Sequence, residues 1–171
     1  MIDQSTQNQE EIAALRSSVA LFHKHFPSFV RSHVGFEPLS LVDAHMTAIH
    51  TFVNTSTINL ERNAMTRGGE PFKRCLTAVN SMVNVIEQLQ EEDYPSLDPL
   101  MSVRAMCGRI RALLLNCLPL IQPCWVTAAN VCLYVISSSR PPENTDFVQK
   151  YAGVLIGAVQ QLARFYPLAG E

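Results

Sequence analysis

The stretch FKRCLTAVNSMVNVIEQL, residues 72–89, decides the fold class. Its apolar residues Phe72, Leu76, Val79, Val83, Ile86 and Leu89 recur at spacings of three and four, with Cys75 and Met82 beside them. That spacing lines up on one face of a helix, whereas a half-buried strand would alternate apolar and polar residues. The run 88–93 that follows is polar and acidic, and Pro95 closes the segment. The same periodicity recurs on both sides, so the expected fold class is all-α, an irregular helical bundle.

Upstream, Gly68-Gly69 marks a loop over 66–71. Before it a helix is expected from about residue 39 to 60, with Pro38 suited to its first turn and a stripe of Val42, Met46, Ile49 and Val53. Thr55-Ser56-Thr57 is expected to weaken its far end, because β-branched and hydroxyl side chains are poor in helix interiors. A first helix carries Ile12, Leu15, Val19, Phe22 and Phe26 on one face, capped by Ser5 or Thr6 and ended by Pro27. Downstream, residues 96–99 read as a turn with Asp98 as N-cap and Pro99 at the first helical position. After Pro123, Val126, Ala129, Leu133 and Ile136 predict a short buried helix, and residues 137–142 break it. Phe147, Tyr151, Val154, Leu155, Ala158, Leu162 and Phe165 predict the last helix, stopped before Pro167. Residues 1–38 form an N-terminal helix and connector, and residues 39–171 the main helical unit.

The chain has 171 residues, 47% hydrophobic and 16% charged, against about 25% charged on average. Such a chain can build a core and is not a solvated tail. Thirteen basic residues stand against 15 acidic ones, and they are scattered, so no direct grip on nucleic acid is expected. The N-terminus is polar and acidic and lacks the apolar stretch of a signal peptide. Without secretion, the Asn54-Thr55-Ser56 glycosylation pattern is idle. Residues 112–139 hold no charge and are long enough to span a bilayer, yet Pro119 and Pro123 would free carbonyls that lipid cannot satisfy. A buried core segment is therefore expected there, and no membrane; a small membrane-anchored protein stands as an alternative reading of the chain.

Cys75, Cys107, Cys117, Cys124 and Cys132 make an odd set without C-x-x-C pairs, which suits buried free thiols better than a disulfide framework or a zinc site. His23, His25, His33, His45 and His50 crowd one region. His45 and His50, five apart, diverge by roughly 140° around a helix, so no metal is expected. G-x-S-x-G, P-loop and G-x-G-x-x-G patterns are absent, and Gly69 runs into Glu70 and Pro71, a poor phosphate cradle. The chain therefore reads as no enzyme, with no cofactor. Glu91, Glu92 and Asp93 read as a solvated face. Trp125, flanked by small residues, reads first as a core aromatic and second as the wall of a small-molecule pocket.

The order of several motifs resembles a known family. His45 and Ile49 lie on a helix ending Thr57-Ile58-Asn59-Leu60, followed by Arg74-Cys75-Leu76-Thr77-Ala78-Val79-Asn80 and Val85-Ile86-Glu87-Gln88-Leu89. Leu97-Asp98-Pro99 and Cys124-Trp125-Val126-Thr127-Ala128-Ala129 come next. This series, over residues 39–166, resembles the C-terminal part of the fungal-specific transcription factor domain, the middle homology region of fungal binuclear zinc-cluster regulators. The resemblance implies a non-catalytic, all-α regulatory domain that modulates activity, in some cases through an effector. Trp125, His45 and Cys75 would then be walls of an effector pocket or of the core. Its partners would be other regions or subunits of a transcription regulator, and its place the nucleus, or the cytoplasm if that role does not hold. A helical protein–protein interaction module unrelated to transcription stands as a further alternative reading.

Two departures from the family pattern stand out. The six-cysteine cluster and its basic linker are missing, so the chain is expected to be a fragment of a larger regulatory domain, with apolar surface left exposed and self-association as a result. In addition, residues 103–122 separate the Leu97-Asp98-Pro99 turn from the Cys124-Trp125 helix. A valine codon begins with GT and a glutamine codon can be CAG, the letters that open and close an intron. Two readings stand for 103–122: an insertion derived from a retained intron, or a genuine hydrophobic helix.

Overall fold

The computed structural model describes residues 4–25, 41–65, 69–97, 121–138 and 146–165. Five helices make up almost all of them: α1 (Gln4–His25), α2 (Leu41–Glu61), α3 (Glu70–Ile86), α4 (Ile121–Ser137) and α5 (Asp146–Phe165). Short 3-10 turns at Arg62–Ala64 and Glu91–Ser96 complete the set, and no strand occurs among the described residues. The architecture is all-α and irregular. The Asp98–Pro99 turn and residues 103–120 of the inserted segment lie outside the described residues.

Helices α2, α3, α4 and α5 pack on one another around a common core, and α1 lies against α2. In α3, Gly69 is the N-cap and Pro71 occupies the first turn, where its missing N–H costs nothing. The helix then buries Cys75, Ala78, Val79, Met82, Val83, Val85 and Ile86, with Phe72, Leu76 and Leu89 packed at the edge of the core. This is the face that the 72–89 periodicity marks out. In α5, Asp146 in the first turn and Arg164 in the last complement the helix dipole. Two surface ion pairs, Lys150–Glu87 at 2.7 Å and Arg164–Glu91 at 3.5 Å, tie α5 to the end of α3 and the turn beyond it. The Tyr151 hydroxyl donates to Asn80 Oδ1 between the same helices.

Four findings extend or correct the reading of the sequence. First, α1 forms and its apolar stripe stays outside the core: Ile12, Leu15 and Phe22 are 39%, 54% and 39% exposed. Second, α2 buries a different face. Val53, Met46 and Ile49 are only half-buried, while Ala44, Thr47, Ala48, Thr51, Asn54, Thr55, Ile58 and Glu61 are buried. Small side chains let neighbouring helices come close, and two of the polar ones bond back to their own helix, while Thr47 Oγ1 has no partner among the described residues and Glu61 is paired by arginines of α1 and α3. Thr55 Oγ1 donates to Thr51 O and Asn54 Nδ2 to His50 O, both at 2.8 Å. The helix runs on through Thr55-Ser56-Thr57 to Glu61; the Ser56 and Thr57 hydroxyls also bond back four residues, at 2.8 and 3.2 Å, a pattern that slightly weakens and bends helices.

Third, α4 buries Ile121, Cys124, Trp125, Ala128, Ala129, Val131, Cys132 and Val135, while Val126 and Leu133 are exposed. A helix apolar all round carries no periodic signal for its inner face; the bulk of Trp125 sets it. In α5 a smaller rotation of the same kind brings Val148 and Ala152 inward and leaves Phe147 and Phe165 exposed. Fourth, Asp93 is buried rather than solvated. Its carboxylate accepts the Gln90 N–H at 2.8 Å and caps the 3-10 turn, which also buries Tyr94.

Candidate functional site

A cleft of about 560 Å³ opens where α1, α2 and α3 meet. Helix α1 supplies Arg16, Val19, Ala20 and His23; α2 supplies Asn54, Thr57, Leu60 and Glu61; α3 supplies Arg74, Thr77 and Ala78. The volume falls in the usual range of small-molecule sites, about 300–1,000 Å³. The pairs Glu61–Arg74 and Asn54–Ser81 are made in opposite chain order, so α2 and α3 run antiparallel along the cleft.

Glu61 organises the site. It is the last residue of α2, where the helix dipole is negative and a carboxylate is disfavoured. Its side chain is only 3% exposed. Two guanidinium groups compensate. Arg16 Nε donates to Oε1 at 2.8 Å and its second nitrogen to Oε2 at 3.4 Å; Arg74 donates to Oε2 at 3.1 Å. Arg16 and Arg74 are 39% and 47% exposed, so the carboxylate is buried while both cations reach the cleft surface. Cys75, next to Arg74, sits under this cluster. Desolvation, helped by the Glu61 charge, pushes its thiol up to about 11, so it stays protonated and unreactive near neutral pH.

His23 faces Thr57 across the cleft, Nε2 to Oγ1 at 3.4 Å. Thr57 already directs its proton at Val53 O, so the histidine Nε2–H is the donor. Burial lowers the His23 pKa, and the ring is neutral at pH 7. This pair is not an activated nucleophile: the hydroxyl proton points away from the imidazole, which itself presents a proton rather than a lone pair. Among the described residues no group of three His, Cys, Asp or Glu side chains is arranged to hold a metal ion. No described helix is long and apolar enough to cross a membrane. Among the described residues the polar groups of the cleft include two guanidiniums, a buried carboxylate and the His23–Thr57 contact, an arrangement that can bind and orient a ligand.

The three candidate pocket residues of the sequence, Trp125, His45 and Cys75, do not line this cleft. Trp125 is fully buried, its ring edge-on to Tyr94 with centroids 6.2 Å apart, and its indole Nε1–H has no partner among the described residues. Cys75 is buried in the same core. His45 is exposed on α2 and lines neither Trp125's core nor the cleft. The structure therefore brings Trp125 and Cys75 into one core and leaves His45 apart. Arg16, Glu61 and Arg74, which build the cleft, went unremarked in the sequence as a set. The one local signal was a lone acid at the end of an apolar helix. Comparison with protein families, curated proteins and solved structures finds no match for this chain.

Proposed function

We propose that this chain is a non-catalytic regulatory domain that senses a small effector in the α1–α2–α3 cleft, in the manner of the regulatory domains of fungal zinc-cluster transcription factors. One observation carries the reading: a cleft of ligand size whose floor is a buried carboxylate between two arginines, and which holds no nucleophile–base pair. The motif order along α2 to α5 supplies the transcriptional context. On this reading the partners are other parts of a transcription regulator, DNA is contacted by those parts and not by this chain, and the setting is the nucleus. The chain's formal charge of −2 agrees with that division of labour.

The test joins this chain to a heterologous DNA-binding module that drives a reporter. The expected result is an output different from that of the module alone, and altered again by filling the cleft with Ala78→Leu. An output identical to the module alone, with the fusion expressed and folded, removes the transcriptional role. A second reading, a helical interaction module unrelated to transcription, is favoured by the exposed Ile12, Leu15, Leu21 and Phe22 of α1. It predicts that a partner captured through α1 will have no link to a promoter.

A further inference from the structure

We infer that the cleft between α1, α2 and α3 selects a monoanionic carboxylate with a compact apolar body. The inference rests on the effector reading above and adds the ligand's charge and shape. The charged groups lining the cleft are Arg16, Arg74 and Glu61, which leaves one net positive charge. His23 is neutral and adds none. Each guanidinium has five N–H donors in a planar fork. Among the described residues both forks spend theirs on Glu61 alone, Arg16 through two nitrogens and Arg74 through one. The remaining donors line a cleft that is open to a ligand.

Glu61 preorganises this arrangement. It is nearly inaccessible, so it holds both forks in place without competing at the cleft surface. A second carboxylate, arriving from solvent, would complete an alternating acid–base quartet. Guanidinium matches a carboxylate in two parallel bonds, and such charge-assisted pairs are about twice as strong as neutral ones. Val19, Ala20, Leu60 and Ala78 provide an apolar wall for the ligand body, and Thr77 a hydroxyl beside it. A dication is repelled by the net charge. A small inorganic anion gains the charge and forfeits the wall.

The test uses the full chain with benzoate and hexanoate as probes, and titrates amide chemical shifts to about 10 mM, a concentration that suits fragment-sized ligands. Benzyl alcohol, hexanol and inorganic phosphate are the comparison probes. Expected are saturable shifts at α1–α2–α3 residues for the two carboxylates, with the alcohols and phosphate at least about tenfold weaker, since tenfold corresponds to about 1.4 kcal/mol and one charged bond exceeds that. Arg74→Gln should weaken carboxylate binding by at least the same factor, and Lys73→Gln, outside the cleft, should leave it unchanged. Should Arg74→Gln fail to fold, Arg74→Lys keeps the charge without the fork and should fall between. Equal binding of alcohols and carboxylates overturns the charge assignment and leaves the effector reading standing. No binding by any probe overturns both. Carboxylate binding indifferent to Arg74 places the anion elsewhere and overturns the inference.

Discussion

Replacing Trp125 by alanine and by phenylalanine should give sharply different results. Trp125 is the chain's single tryptophan and is fully buried among α4, α5 and the turn that carries Tyr94. Trp125→Ala removes the largest core side chain and leaves a cavity, a change that costs about 3–5 kcal/mol. It also forfeits the edge-on contact with Tyr94, worth about 0.5–1.5 kcal/mol beyond area burial and already part of that range. In a domain of this size each kcal/mol moves Tm by about 2–4 °C, so the loss should be roughly 6–20 °C. Trp125→Phe keeps most of the ring and the contact, and removes an indole N–H that has no hydrogen-bond partner among the described residues. Relief of a buried orphan donor, about 1–3 kcal/mol, offsets much of the lost volume. The expected net cost is under about 1.5 kcal/mol, the ordinary cost of a shape change in a core. Thermal melts followed by circular dichroism measure both variants, and wild-type fluorescence should be blue-shifted and resist acrylamide quenching. If Trp125→Phe costs as much as Trp125→Ala, the indole N–H makes a bond that the reasoning denies. If Trp125→Ala costs under about 1 kcal/mol, Trp125 is not the centre of the core.

Val83 is fully buried on α3, so Val83→Asp places an unpaired carboxylate in the core and should abolish folding; retention of the helical dichroism signal and a sharp melt would refute the core assignment. Burial pushes the Cys75 and Cys132 thiols up to about 11, so both should resist iodoacetamide at pH 8 in the native chain and react on addition of urea. The same shift has a signed consequence for stability. The unfolded thiols lose their protons near the ordinary value of 9.0 while the folded ones keep theirs. Stability is therefore full below about pH 9 and falls as pH rises toward 11, which urea melts across that window will read. Ile12 and Leu15 are exposed on one face of α1, so the purified chain should self-associate with rising concentration in light scattering, and the Ile12→Glu, Leu15→Glu double variant should remain monomeric.

Helicity was legible from local pattern, and so was the inner face where large and polar residues segregate cleanly. The α3 stripe from Phe72 to Ile86 is such a case, because the same side chains both signal the period and fill the core. Helices α2 and α4 defeat that logic in opposite ways. In α2 the buried face is small and largely polar: the Thr55 hydroxyl bonds back to its own helix, Thr47 Oγ1 has no partner among the described residues, and the face leaves no large apolar mark. In α4 apolar residues run all round, and any face would serve by pattern alone. Which face turns inward was settled by neighbours: close approach to α3 and α4 for one, and Tyr94 against Trp125 for the other.

The sequence by itself determined that the chain is helical, lacks the familiar motifs of catalysis, and carries a nearly balanced charge. These properties are sums or short-range patterns, fixed by composition and by the turn of a helix. The cleft is not of that kind. Arg16 and Glu61 lie 45 positions apart, and Arg74 a further 13 along, so no periodicity joins them. Only the antiparallel packing of α2 and α3, with α1 against α2, brings two cations to one buried carboxylate. The same packing chose to leave the apolar stripe of α1 outside, because α1 meets α2 through Arg16 and its neighbours rather than through Ile12 and Leu15.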